Sequence, residues 1–395
     1  MNVVLSRRRF LRDSAWLAGA TGVGAALPSL AVAAERTAAL PPPSVMIDSN
    51  EFPDGPCPAA IAAIAKIVPQ GGRYLGELQQ ELMRALATEL TLPVDHLMAY
   101  AGSTEPLDYT MLAFTSPTAA LVTADPTYES GWRAAGRNGA KLIKVPLRAD
   151  FSHDVQAMCR ADANAGVIYI CNPNNPTGSV TARKDLDYAL AHKPKGSILV
   201  VDEAYIHFAR STQSVVDMVA AGEDVVVLRT FSKLYGMAGI RLGYAAARPD
   251  LLAKLKFYSV NSLPVTAVAA GLASLRDAAL VPQRRTRTAA TRTDVIAFLR
   301  AHGYACTESE SNCFMVDVKR PASDFKEAMA SFGVFVGRSW PIWPTWSRIT
   351  VGTPEDMLRF KQAFMQVMAG ERGPLPSPRF SAELPTPISA FVHDA

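Results

Sequence analysis

The stretch VVVLRTFSKLYGMAGIRLGY, residues 225–244, holds the logic of the fold in twenty residues. Its first four side chains are apolar, a run suited to a strand buried on both faces. Arg229, Thr230 and Ser232 follow at once, then Lys233, then a loop with Gly236 and Gly239. A second apolar run, Leu242–Ala246, closes the segment. A lysine between a buried strand and a glycine loop is poorly placed to be a solvated charge. Burial lowers its pKa and makes its amine a Schiff-base nucleophile. The hydroxyls of Thr230 and Ser232 with the guanidinium of Arg241 make a good set of phosphate ligands.

Three more apolar runs lie upstream, each ending in polar or aromatic residues. Ala120–Ala124 leads to Asp125-Pro126-Thr127-Tyr128, and Gly166–Cys171 to Asn172-Pro173-Asn174-Asn175-Pro176-Thr177-Gly178. Ile198–Val201 leads to Asp202-Glu203-Ala204-Tyr205. Short apolar runs separated by helical stretches predict a mostly parallel sheet in an α/β protein. Ligands of such sheets bind beyond the carboxyl ends of the strands, where these polar residues fall. Upstream again, Gly102-Ser103-Thr104-Glu105 opens a helix whose free N–H groups favour a phosphate. Asp202-Glu203 after an apolar run also imitates a Walker B strand, but the chain has no G-x-x-x-x-G-K-[ST] segment to accompany it.

The expected organisation has five parts. Residues 1–34 are a signal peptide, 35–70 an N-terminal arm that includes part of a smaller domain, and 71–285 the large domain. Residues 286–371 form the smaller α/β domain, and the Pro-rich residues 372–395 a disordered tail. Helices are expected at Pro58–Ile67 and Leu78–Leu90, with residues 250–302 mainly helical. Strands of the smaller domain are expected near Cys313–Val318, Val334–Val336 and Ser347–Val351. The last helix has Thr353 as N-cap, Pro354 at its first position, and a stripe of Met357, Phe360, Phe364, Val367 and Met368 before Gly370.

The chain's 395 residues are 49% hydrophobic and 19% charged, which allows a sizeable core and excludes a disordered or coiled-coil protein. Four of the 40 basic and one of the 36 acidic residues lie in the first 34, so the remainder carries a net charge of about +1. That balance gives no nucleic-acid footprint. Six histidines show no ligand spacing and five cysteines no C-x-x-C, so no metal site is expected. The thiols are expected free and buried, with a Cys306–Cys313 pair across a hairpin as the alternative.

The N-terminal Ser6-Arg7-Arg8-Arg9-Phe10-Leu11-Arg12, an uncharged stretch from Ser14 to Ala34 and small residues at Ala31-Val32-Ala33 resemble a twin-arginine translocation signal. The resemblance implies recognition by the twin-arginine export machinery and a periplasmic mature protein.

Ser232-Lys233, Gly236, Gly239, Arg241 and Gly243-Tyr244 together resemble the cofactor-lysine motif of fold-type I, class I/II aminotransferases, which use pyridoxal 5'-phosphate. The likeness runs from Asn50-Glu51-Phe52-Pro53 to Gly370. It implies that Lys233 is catalytic and that Ser103, Thr104, Thr230, Ser232 and Arg241 hold the phosphate. Asp202 resembles the partner of the pyridine nitrogen, Asn175 and Tyr205 the partners of the ring oxygen, and Tyr128 the aromatic stacked on the ring. Arg73-Tyr74 resembles the segment whose tyrosine completes the neighbouring subunit's phosphate site, which implies a homodimer with shared active sites. Ser347-Arg348-Ile349-Thr350-Val351-Gly352-Thr353 is similar to the carboxylate-binding segment of histidinol-phosphate aminotransferases, so Arg348 and Asn175 are expected at the substrate.

Arg338 falls near the position of that family's second, phosphate-binding arginine. Trp340, Trp343 and Trp346 then replace the usual sequence, and they serve either as a pocket lining or as packing between domains. The resemblance implies transamination between an amino acid and a 2-oxo acid, the donor being histidinol-phosphate-like or aromatic and large. A decarboxylase, lyase or oxidase shares every cofactor residue, and a non-catalytic cofactor-binding protein is the alternative from another class.

Overall fold

The computed structural model describes residues 44–259 and 262–374. The segment expected to be a signal, the start of the expected arm and the residues from 375 lie outside the described residues. Those described belong to one compact unit.

The described residues form eleven strands: β1 (Val45–Ile47), β2 (Leu97–Tyr100), β3 (Ala120–Asp125), β4 (Leu142–Pro146), β5 (Ala165–Cys171), β6 (Ile198–Asp202), β7 (Val225–Thr230), β8 (Gly243–Ala246), β9 (Cys313–Asp317), β10 (Val334–Val336) and β11 (Trp346–Thr350). The central sheet has seven strands in the order β2-β8-β7-β6-β5-β3-β4. Strands β3 to β7 run parallel to one another, and β8 is antiparallel to both β7 and β2.

Side chains along β6 and β7 alternate between two cores, as a period of two requires. Leu199, Val201, Val225 and Val227 join one, and Ile198, Val200, Val226 and Leu228 the other. Both faces are thus covered, which is why these strands read as unbroken apolar runs. The mostly parallel α/β fold expected from them is the one observed.

A third core gathers β1 and β9–β11 under the C-terminal helix. β9 pairs antiparallel with β11, and β1 pairs in parallel with β10, nearly 300 residues away in sequence. The helix Pro354–Met368 begins as expected: the Thr353 side chain accepts from the Asp356 N–H while Asp356 accepts in return from the Thr353 N–H. Met357, Phe360, Phe364 and Val367 are buried, each worth about 1.5–3 kcal/mol relative to exposure.

Three strands differ from the sequence reading. β1 lies in the expected N-terminal arm, where the sequence reading places no strand, because three residues paired to a distant strand leave too short a pattern to detect. β2 is a short apolar run (LMAY) outside the expected strands, and β4 is broken by Lys144 and ends in Pro146. The expected boundary at 285/286 falls inside the continuous helix Leu280–Ala301.

All five cysteines are free and buried. Cys306 faces Val316 across its bridge, and Cys313 faces Thr350. The alternative Cys306–Cys313 bond is therefore not made, since the register places neither thiol opposite the other.

Candidate active site

The ends of β3, β5, β6 and β7 open into a cavity of about 420 Å³. Its walls carry Ser103, Thr104, Tyr128, Asn175, Asp202, Tyr205, Thr230, Ser232, Lys233, Arg241 and Arg348, eleven of the thirteen residues expected from the sequence. Tyr74 and Arg338 are the two that do not line it.

Lys233 follows β7 on a loop turned by Gly236, whose φ is 71°. Its Nζ lies 3.5 Å from the Ser49 carbonyl oxygen and 5.8 Å from the Tyr205 ring centre. Burial pushes its pKa down to about 8, and the Arg348 guanidinium pushes the same way.

At the end of β6, Asp202 is only 2% exposed. It accepts from the Tyr169 hydroxyl at 2.9 Å and the Ala204 N–H at 3.1 Å. Burial lifts its pKa to about 6, against the pull of the Tyr169 hydrogen bond. Among the described residues it makes no ion pair. A buried carboxylate held only by a phenol and an amide has room for a protonated nitrogen.

Thr230, Ser232 and Arg241 form a connected cradle. The Thr230 hydroxyl donates to Ser232 Oγ at 2.9 Å, and Arg241 Nη1 donates to Ser232 Oγ at 3.2 Å and to the Ala238 carbonyl at 2.8 Å. Arg241 Nη2 reaches the Ala101 carbonyl at 3.1 Å. Ser103 caps the helix Thr104–Phe114 without using its hydroxyl on the cap, and Thr104 Oγ1 lies 3.3 Å from the Tyr128 hydroxyl. Two glycines keep the cradle open. A Cβ at Gly102, whose φ is 96°, would collide with the Arg241 guanidinium. A Cβ at Gly243 would sit 2.6 Å from the Ser103 nitrogen.

Arg348, on β11, donates from Nη1 to Asn175 Oδ1 at 3.0 Å and from Nη2 to the Asp48 carbonyl oxygen. Its Nε is buried without a hydrogen-bond partner. No carboxylate among the described residues pairs with it, so the guanidinium keeps both its charge and donor capacity for an incoming anion.

Ser49, Asn50, Glu51, Cys171, Ala204 and Ala238 also line the cavity without having been singled out as site residues. Asn50 is the most connected. Its φ is 53°, its Nδ2 donates to the Tyr205 hydroxyl at 2.9 Å, and its N–H donates to Thr350 Oγ1 at 2.9 Å. The signal for it was there, an asparagine heading Glu51-Phe52-Pro53, but its partners are 155 and 300 residues away.

Arg338 turns instead to Glu129, with Nη2 2.6 Å from Oε2. Tyr74 is 85% exposed on this chain's surface. The tryptophans pack rather than line the cavity. Trp343 and Trp346 each meet Phe151 at 5.5 Å, and Trp340 is buried.

Fold and cavity together place a lysine amine, two hydroxyls beside a guanidinium, and an arginine without a carboxylate partner around one chamber of an α/β protein. Residues 43–364 match the model of aminotransferase class I and II, and the chain belongs to that family. It is 37% identical to the histidinol-phosphate aminotransferase of Symbiobacterium thermophilum, over 81% of this chain and 89% of that one. It is 32% identical to the aromatic amino acid aminotransferase of Rhodococcus erythropolis, over 80% and 88%. A crystal structure from Erwinia carotovora atroseptica superimposes with a TM-score of 0.80 at 30% identity, covering 83% of this chain and 96% of that one. The histidinol-phosphate aminotransferase of Sinorhizobium meliloti in complex with pyridoxal-5'-phosphate shares the fold, with a TM-score of 0.74 at 24% identity over 82% and 90%.

Proposed function

We propose that this aminotransferase works with pyridoxal 5'-phosphate and moves the amino group of an aromatic or other large α-amino acid to a 2-oxo acid. The observation that carries the reading is Lys233, an amine of lowered pKa, set in one chamber with buried Asp202 and unpaired Arg348. When bound, the cofactor supplies an aldehyde for amine attachment and a ring that accepts electrons. Thr230, Ser232, Arg241 and the Ser103-Thr104 helix start suit its phosphate, and the glycines at 102 and 243 leave space for it. Asp202 suits its ring nitrogen, Asn175 and Tyr205 its ring oxygen, and Tyr128 its ring face.

Arg348 holds the substrate carboxylate and Asn175 orients that guanidinium. Lys233 Nζ, free base in a useful fraction at neutral pH, takes and returns the proton at the substrate Cα. Tyr74, exposed here, suits a role in the phosphate site of a second copy in a homodimer. The twin-arginine pattern at Arg7 and Arg8 supports export to the periplasm.

The test adds single amino acids to the purified yellow holoenzyme and follows bleaching of its visible band, with 2-oxo acid product assayed in parallel. Aromatic donors are expected to bleach it with stoichiometric oxo acid. Arg348→Ala is expected to lose about 2–5 kcal/mol of transition-state binding, roughly 30- to several-thousand-fold in kcat/KM. Release of carbon dioxide or ammonia in place of oxo acid exchange would assign a decarboxylase or lyase instead.

A further inference from the structure

Two arginines share one indole, and only one of them is neutralised. Arg348 Cζ lies 5.6 Å and Arg338 Cζ 4.2 Å from the centre of the Trp340 ring. The two guanidinium carbons are therefore at most about 10 Å apart. The backbone ties them as well, with the Gly337 N–H donating to the Arg348 carbonyl at 2.9 Å. Arg348 meets only a side-chain amide and a backbone carbonyl. Arg338 meets the Glu129 carboxylate at 2.6 Å. Glu129 directly follows Tyr128 of the cavity wall and stands at the start of the helix Ser130–Arg137.

We infer that Glu129 is a specificity-determining residue that masks Arg338 and thereby confines the donor to a single anionic group. This rests on the transaminase reading above and deepens it. Held by Glu129, Arg338 stays out of the cavity lining, so a substrate held by its carboxylate at Arg348 meets no second free arginine there. An uncharged or aromatic tail meets no cost there. A distal carboxylate or phosphate has to displace Glu129 from Arg338 and then lie beside the displaced negative charge. The pair is partly open, with Glu129 27% and Arg338 49% exposed. Breaking it costs little by itself, so the discrimination comes from both effects together.

The test measures binding of two non-reacting acids to the holoenzyme by calorimetry: glutarate, with a distal carboxylate, and 3-phenylpropionate, without one. Glu129→Gln is expected to tighten glutarate about tenfold and to move 3-phenylpropionate less than about twofold. Glu129→Gln with Arg338→Gln is expected to return glutarate to its wild-type affinity. Three results would overturn the inference: equal changes for both acids, no gain for glutarate, or a gain that survives loss of Arg338. Tighter binding of glutarate than of 3-phenylpropionate by the wild type would overturn it too. Bleaching by phenylalanine, read on the same wild-type sample, reports the transaminase reading separately, because acid binding needs no turnover.

Discussion

Lys233 shows how much one residue owes to its surroundings. An ordinary lysine near pKa 10.4 is free base to less than about 0.1% at pH 7, whereas one at about 8 is free to roughly a tenth. Burial disfavours the ammonium, so protonation is lost at lower pH than in solvent. Labelling of the apoenzyme by an amine-reactive reagent, mapped to the Lys233 peptide, should rise about tenfold per pH unit and level off above pH 8. A profile still climbing steadily to pH 10 would show that the site does not depress it. The residue itself was legible in sequence, as was Asp202, because each follows an apolar run, and Tyr205 and Arg348 were legible through the likeness of their segments to the family's. Arg338 was misplaced by the same logic. It follows the β10 run at the expected place, but Glu129 draws its guanidinium away from the cavity wall, and nothing in either local sequence links them.

Among the elements, the join of β7, the lysine loop and β8 governs the anion cradle. Gly102 precedes the helix start and packs against Arg241, itself at a φ of 71°. Gly102→Ala would push a methyl group into that guanidinium and strain a backbone of positive φ. It should weaken cofactor retention by about tenfold or more while leaving the fold intact, since one charged phosphate contact is lost. Cofactor release on dialysis, followed by fluorescence, measures this, and unchanged retention would remove Arg241 from the cradle. Beneath the cradle, Glu203 and Arg229 pair at 2.9 Å with side chains 1% and 8% exposed, tying the ends of β6 and β7. Glu203 thus stays out of the cavity lining although it neighbours Asp202, because its carboxylate accepts from Ser214, the Val215 N–H and Arg229.

For the whole molecule, the proposed export depends on Arg7 and Arg8, which precede the described residues. Arg7→Lys with Arg8→Lys should leave a folded, active enzyme in the cytoplasm, because the pair is the feature proposed to be recognised and the substitutions leave every described cavity residue unchanged. Fractionation with an activity assay measures it, and wild-type amounts of the double variant in the periplasm would refute the signal. The buried thiols are also a whole-molecule matter. Cys306 and Cys313 are seven residues apart, yet the β9–β11 register and the Cys306–Val316 bridge keep them from facing each other.

The amino-acid sequence alone determined the α/β class, the strands β3, β5, β6 and β7 and the polar residues at their ends. Those features are local, since burial on both faces writes itself as an unbroken apolar run, and ligands gather where such runs stop. Tertiary structure alone decided the pairing of β1 with β10, the place of Asn50 under Tyr205, the packing role of the tryptophans and the pairing of Arg338 with Glu129. Each joins residues dozens to hundreds of positions apart. Local pattern carries no record of such partners, because their contact energy exists only once the chain has closed on itself.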